Sequence, residues 1–132
     1  MKQELQNKLI KRFPFLKKKP QRADGWNEPY DLFGIEFSDG WYDLIYELFE
    51  KLEKENDNIV VCQLKEKFGM LRAYIGNVNK KSYDLIHEAE NKSSKICEQC
   101  GKEGKLRNDK GWFRTECDKC REKRFKKGGI AT

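Results

Sequence analysis

The sequence predicts an α+β fold: helices packed on a two-stranded antiparallel hairpin, then a small C-terminal hairpin pinned by cysteines. Three observations carry this. Apolar residues recur at helical spacing in three stretches, the longest being "SDGWYDLIYELFEKLEKEN" at 38–56. Two short runs, "IVVCQLK" (59–65) and "GMLRAYIG" (69–76), are rich in β-branched or alternating apolar residues and are joined by "EKFG". Four of the five cysteines form two C-x2-C pairs between 97 and 120.

Taken in order, "KQELQNKLIKRF" places Leu5, Leu9 and Phe13 on one helical stripe, which Pro14 should end. Residues 17–34 mix Pro20, Gly25 and Pro29 with aromatics and read as an ordered loop. In the next helix Trp41, Leu44, Ile45, Leu48, Phe49 and Leu52 form the apolar stripe, with Ser38 or Asp39 as its N-cap. The acids Asp39, Asp43, Glu47 and Glu50 fall largely along one face of it, read as solvated. After the hairpin, "KSYDLIHEAENKS" (81–93) gives a further helix. Residues 1–94 are expected to form the helical and hairpin domain, and 95–132 the cysteine-bearing unit with a basic tail.

At 132 residues, 37 % hydrophobic and 38 % charged, the chain has thin apolar material, and a metal clip would help it hold together. No apolar run approaches the roughly 20 residues of a membrane span, and the start lacks a signal peptide's apolar stretch. The expected compartment is the cytoplasm, where thiols stay reduced. The net charge of +6 is segregated: +7 over residues 1–22, −9 over 23–57, +2 over 58–92 and +6 over 93–132. Basic ends can bind a polyanion, or simply rest on the acidic centre.

Cys97, Cys100, Cys117 and Cys120 fit C-x2-C-x16-C-x2-C, the spacing of a four-thiolate zinc site. Two cysteines two apart in a tight turn point at one ion, and two such turns complete a tetrahedron. Gly101 lets the first turn return with positive φ. The rival, a redox dithiol, needs only one pair. Between the pairs, strands over 104–107 and 112–116 joined at 108–111 would make a zinc ribbon. Four protein ligands leave no position for water, so the zinc would be structural. Cys62 is left over and reads as a small buried hydrophobe.

Leu106 and Phe113 are expected inside the ribbon. Trp112 and Arg114 then lie on the opposite face, near Lys105, Arg107 and Lys110. An aromatic among bases can stack on a nucleobase while the bases meet phosphates. The plainer alternative packs Trp112 against the rest of the domain. Arg121, Lys123, Arg124, Lys126 and Lys127 extend the basic character as a helix face or a tail.

Catalytic chemistry finds little support. His87 is the only histidine, and no cysteine nucleophile has a plausible partner. Gln63-Leu64-Lys65 is half of a metal-dependent nuclease motif, but Asp57, the nearby upstream acid, leads into the same strand. The chain is therefore not expected to be an enzyme or to take a small-molecule substrate.

"FSDGWYDLIYEL", "QLKEKFGMLRAYI" and "CEQCGKEGKLRNDKGWFRTECDKC", in this order, resemble a largely uncharacterised family of short bacteriophage and prophage proteins. The resemblance covers the chain from about Pro14 onward. It implies phage origin, hence the host cell's cytoplasm, and zinc binding. The family commonly carries a cysteine where this chain has Ser38, so a thiol role there does not carry over. The middle motif places Lys65, Lys67, Phe68 and Arg72 together. They form a binding edge, or else Phe68 covers the core and the bases pair with the acidic helix. The leading expectation is a non-catalytic protein contacting DNA or RNA through Lys105, Arg107, Lys110, Trp112, Arg114, Arg121, Lys123 and Arg124. The alternative is an interaction factor that binds a host protein complex, its acidic segment 23–57 mimicking nucleic acid.

Overall fold

Leu5, Leu9 and Phe13 recur at helical spacing. In the computed structural model of the chain, which describes residues 1–127, they belong to α1 (Gln3–Arg12) and its C-cap. Positions 128–132 and the Lys127 side chain, the end of the expected basic tail, lie outside the described residues. Pro14 stops α1 and opens a 3-10 turn, Pro14–Leu16. The loop that follows holds a short helix absent from the sequence expectation, α2 (Pro29–Phe33), started by Pro29 at its first position.

The long helix, α3, runs Tyr42–Glu55 and is preceded by a 3-10 turn, Asp39–Trp41. Neither expected cap is made. Ser38 makes no side-chain cap, and Asp39 instead accepts the backbone N–H of Lys2 at 2.8 Å. Leu44, Ile45, Leu48, Phe49 and Leu52 are buried, as the apolar spacing requires. Phe13 packs against Phe49 and Tyr46, with ring centres 5.6 and 5.1 Å apart, so α1 is bound to α3 by aromatic contacts.

The sheet has three strands, not the two expected. β1 (Ile35–Glu36), β2 (Val60–Lys67) and β3 (Met70–Gly76) lie in that order, β1 parallel to β2 and β2 antiparallel to β3. A two-residue strand shows no alternation, so nothing in its sequence could announce it. Val61, Leu64, Leu71, Ala73 and Ile75 face the core. Helix α4 (Lys80–Ser93), capped by Asn79 accepting from Ser82 N–H at 2.9 Å, covers the free edge of β3. Ser93 Oγ accepts from Leu71 N–H at 2.9 Å, and Glu90 Oε2 from Ala73 N–H at 3.0 Å, satisfying edge donors that would otherwise invite another strand.

The C-terminal hairpin pairs β4 (Lys105–Asp109) with β5 (Trp112–Glu116), and α5 (Asp118–Lys127) follows directly. No helix among the described residues is long and apolar enough to cross a membrane.

Candidate metal centre and cationic ribbon

Cys97 and Cys100 lie in a tight knuckle. Cys97 N–H donates to Lys102 O at 2.7 Å and Gly101 N–H to Cys97 O at 2.9 Å, with Gly101 at φ +82°. Cys117 follows β5 and Cys120 opens α5, where its N–H donates to Cys117 Sγ at 3.4 Å. The four Sγ atoms lie within 4.8 Å of one another, and those of Cys100 and Cys117 are 3.7 Å apart. An ion bound tetrahedrally at ~2.3 Å holds its sulfurs about 3.8 Å apart. The donor set therefore fits a metal ion, and all four of its ligands come from the chain. The Cys120 amide holds the Cys117 thiol down to about 7, whereas burial pushes those of Cys100 and Cys120 up.

The knuckle is built onto the start of α3. Trp41 Nε1 donates to Ile96 O at 2.9 Å, Gly40 N–H to Glu98 O at 2.7 Å, and Ser38 N–H to Glu98 Oε2 at 3.0 Å. A methyl group on Gly40 would sit 2.0 Å from the Cys97 carbonyl, so only glycine fits this approach. Burial pushes the Glu98 carboxyl up. The β2–β3 turn seats the other end of the ribbon. Thr115 Oγ1 donates to Gly69 O at 2.7 Å, and a methyl on Gly69, at φ +80°, would meet Leu106 Cδ1 at 2.6 Å. Two motifs legible in the sequence, "DGW" and "KFG", are thus the docking points of the cysteine segment.

The basic residues divide into two sets. Arg107 ion-pairs with Asp118, Arg121 with Asp109 at 2.9 Å, and Arg124 with Asp109 at 3.1 Å and Glu116 at 2.7 Å. These contacts bind α5 to the ribbon and hold the Asp109 and Asp118 carboxyls below their ordinary range. The buried Glu116 carboxylate has Arg124 as its ionic partner. Arg107, Arg121 and Arg124 are therefore engaged within the fold. By contrast, no ion pair among the described residues involves Lys105, Lys110, Arg114 or Lys123. Arg114 Cζ lies 5.6 Å from the Trp112 ring centre, and its Nε is buried without a hydrogen-bond partner. Arg114, Lys123, Arg124 and Lys126 line a groove of about 560 Å³ with Gln99 and Glu116.

Several expectations are corrected here. Leu106 and Phe113 are not interior residues: they are 42 % and 36 % exposed, with Leu106 against Gly69 and Phe113 against Phe68 of the β2–β3 turn. Trp112, at 65 % exposure, does not pack against the rest of the domain. Phe68 does not cover the core; it is 63 % exposed. Nor do Lys65, Lys67 and Arg72 ion-pair with α3. Lys65 Nζ lies 5.8 Å from the Tyr74 ring, Lys67 Nζ lies 5.6 Å from that of Phe68, and Arg72 donates to Leu71 O at 3.2 Å.

Glu36, an acid on the strand preceding Gln63-Leu64-Lys65, was passed over by sequence reasoning. β1 sets Glu36 beside Lys65, and its carboxylate accepts from Gln63 Nε2 at 3.1 Å. Only the four cysteines, among the described residues, form a cluster of three or more metal-ligating groups. Cys62 is half-buried, and burial raises its thiol.

The fold and site together define a small mixed helix-and-sheet protein with a C-terminal four-cysteine site able to hold a metal ion. No family model, curated protein or solved structure matches the chain.

Proposed function

We propose that this chain is a small phage-encoded zinc-ribbon protein that binds nucleic acid without catalysis. Phage origin rests on the resemblance of its three motifs, and zinc on four cysteine sulfurs within 4.8 Å of one another, a donor set that leaves no open ligand position in a tetrahedral site. In this reading the zinc is structural, holding the ribbon so that its cations stay fixed.

The observation that carries the binding reading is the pairing of Arg114 with exposed Trp112 beside the Lys123–Lys126 groove. Cations outside the ion pairs found among the described residues can turn their charge to phosphates, and an exposed indole offers a face to a base. Arg107, Arg121 and Arg124 serve mainly as the scaffold that holds α5 in place. The binding set narrows to Lys105, Lys110, Trp112, Arg114 and Lys123, joined by Lys126.

Fluorescence anisotropy of the zinc-loaded protein with labelled nucleic acid across a salt series tests this. Micromolar or tighter binding is expected, with a log–log slope of about 3 or more in magnitude as phosphates are neutralised. Absence of binding at low salt rejects the reading. One zinc per chain is expected by elemental analysis.

A second reading rests on a different surface. Trp26, Leu32 and Phe33 are exposed within the acidic stretch 23–57, a combination suited to a basic host protein. A nuclease-treated pull-down retaining one stoichiometric partner, lost on Phe33→Asp, would favour it.

A further inference from the structure

Phe68 is a large aromatic where folding asks for glycine or asparagine. It stands at the first central position of the two-residue β2–β3 turn, with φ +54°, in the left-handed region. Phe68 nevertheless remains mostly exposed. Its ring meets that of Phe113 edge-on, with centres 6.1 Å apart. Phe68, Trp112 and Phe113, with Glu66 and Gly111, line one groove of about 310 Å³ at the end of the ribbon. Phe68 and Phe113 thus meet across two hairpins that are far apart in sequence, and Trp112 lines the same groove.

Cations border this groove. Lys67 Nζ is 5.6 Å from the Phe68 ring, Arg114 Cζ is 5.6 Å from the Trp112 ring, and Lys110 stands in the β4–β5 turn. The one carboxylate in the lining, Glu66, accepts the Gly69 N–H at 2.7 Å and so serves the turn. Arg114 belongs to both grooves' surroundings, lining the cationic one and lying over Trp112.

We infer that the nucleic acid recognised by the ribbon is single-stranded, with unpaired bases stacking in the groove formed by Phe68, Trp112 and Phe113. This rests on the nucleic-acid reading above and adds the substrate class. The physical reason is access. In a duplex the base faces are covered by their neighbours and only edges are offered in the grooves, so an aromatic cluster gains nothing. In a single strand every base has a free π-face, and stacking tolerates any sequence. DNA and RNA strands share this chemistry.

The test uses the full zinc-loaded chain with labelled single strands of about 16 nucleotides, DNA and RNA, and the matching duplexes at equal salt. Single strands should bind at least about tenfold more tightly than duplexes and quench tryptophan emission. Phe68→Asn keeps a residue that tolerates the left-handed turn, and should weaken single-strand binding about tenfold with the salt slope unchanged. Trp112→Ala should weaken it similarly and abolish the quenching. Zinc content and melting temperature of each variant report folding separately. Equal affinity for duplex and single strand overturns this inference and leaves the nucleic-acid reading standing, as does unchanged single-strand affinity in both variants. Failure to bind any strand overturns both.

Discussion

Phe13, Trp41 and Phe49, around α3, are completely buried, whereas Trp112 and Phe113 on the ribbon are left in water. The charges differ in the same way. Arg12 lies against Glu53 and Glu50, and Glu55 meets Lys81, so bases from α1 and α4 rest on acids of α3. On the ribbon and α5, three arginines are paired, but among the described residues Lys105, Lys110, Arg114 and Lys123 make no ion pair. The α3 region is held by burial, which consumes its aromatics. A ribbon of two five-residue strands has no interior to bury them in, and a bound metal would supply the folding energy instead. Side chains released from folding duty are then available for contact with a partner.

The largest expected effect is that of metal removal. Chelation, or Cys117→Ser, should strip hydrogen-exchange protection from β4 and β5 while α3 amides remain protected, since structural zinc contributes on the order of 10 kcal/mol in small domains. A ribbon still protected after chelation would break the contrast. Trp41→Ala should cost about 3–5 kcal/mol by denaturant unfolding, and should loosen the knuckle that its indole N–H holds through Ile96. Gly40→Ala should cost about 3 kcal/mol, because the added methyl meets backbone that cannot yield.

A smaller effect concerns pH. The Asp109 and Asp118 carboxyls are held down by Arg121 and Arg107. Their contribution is complete above the ordinary carboxylate range near 4 and is lost as pH falls through the depressed folded values. Asp118→Asn should therefore melt slightly below the parent at pH 7, and the difference should shrink as pH falls through the depressed folded value. A difference that persists in acid would mean packing rather than charge. Trp112→Ala should change stability by no more than about 0.5 kcal/mol, in contrast to Trp41→Ala. A loss as large as that of Trp41→Ala would give Trp112 a folding role and remove the distinction between the regions.

Much of the site was legible from its residues. The C-x2-C pairs located the four-cysteine cluster, because two cysteines two apart in a tight turn can point at one ion. The stripe from Trp41 to Leu52 located α3, because one helix face must be apolar to be buried. Glu36 stayed hidden, since β1 exists only through pairing with β2. The roles of Gly40 and Gly69 stayed hidden too, since each glycine is required by backbone or side chains more than 35 residues away. The ribbon's interior was misread because alternation along a strand separates two faces without saying whether anything covers either one.

The sequence by itself determined the three longer amphipathic helices, the two hairpins and the four clustered cysteines, which follow from periodicity and short-range spacing. Only the tertiary structure decided which arginines are neutralised, where the cysteine segment docks, and that Phe68 joins Trp112 and Phe113. Those outcomes depend on distances between segments remote in the chain, which local patterns do not encode.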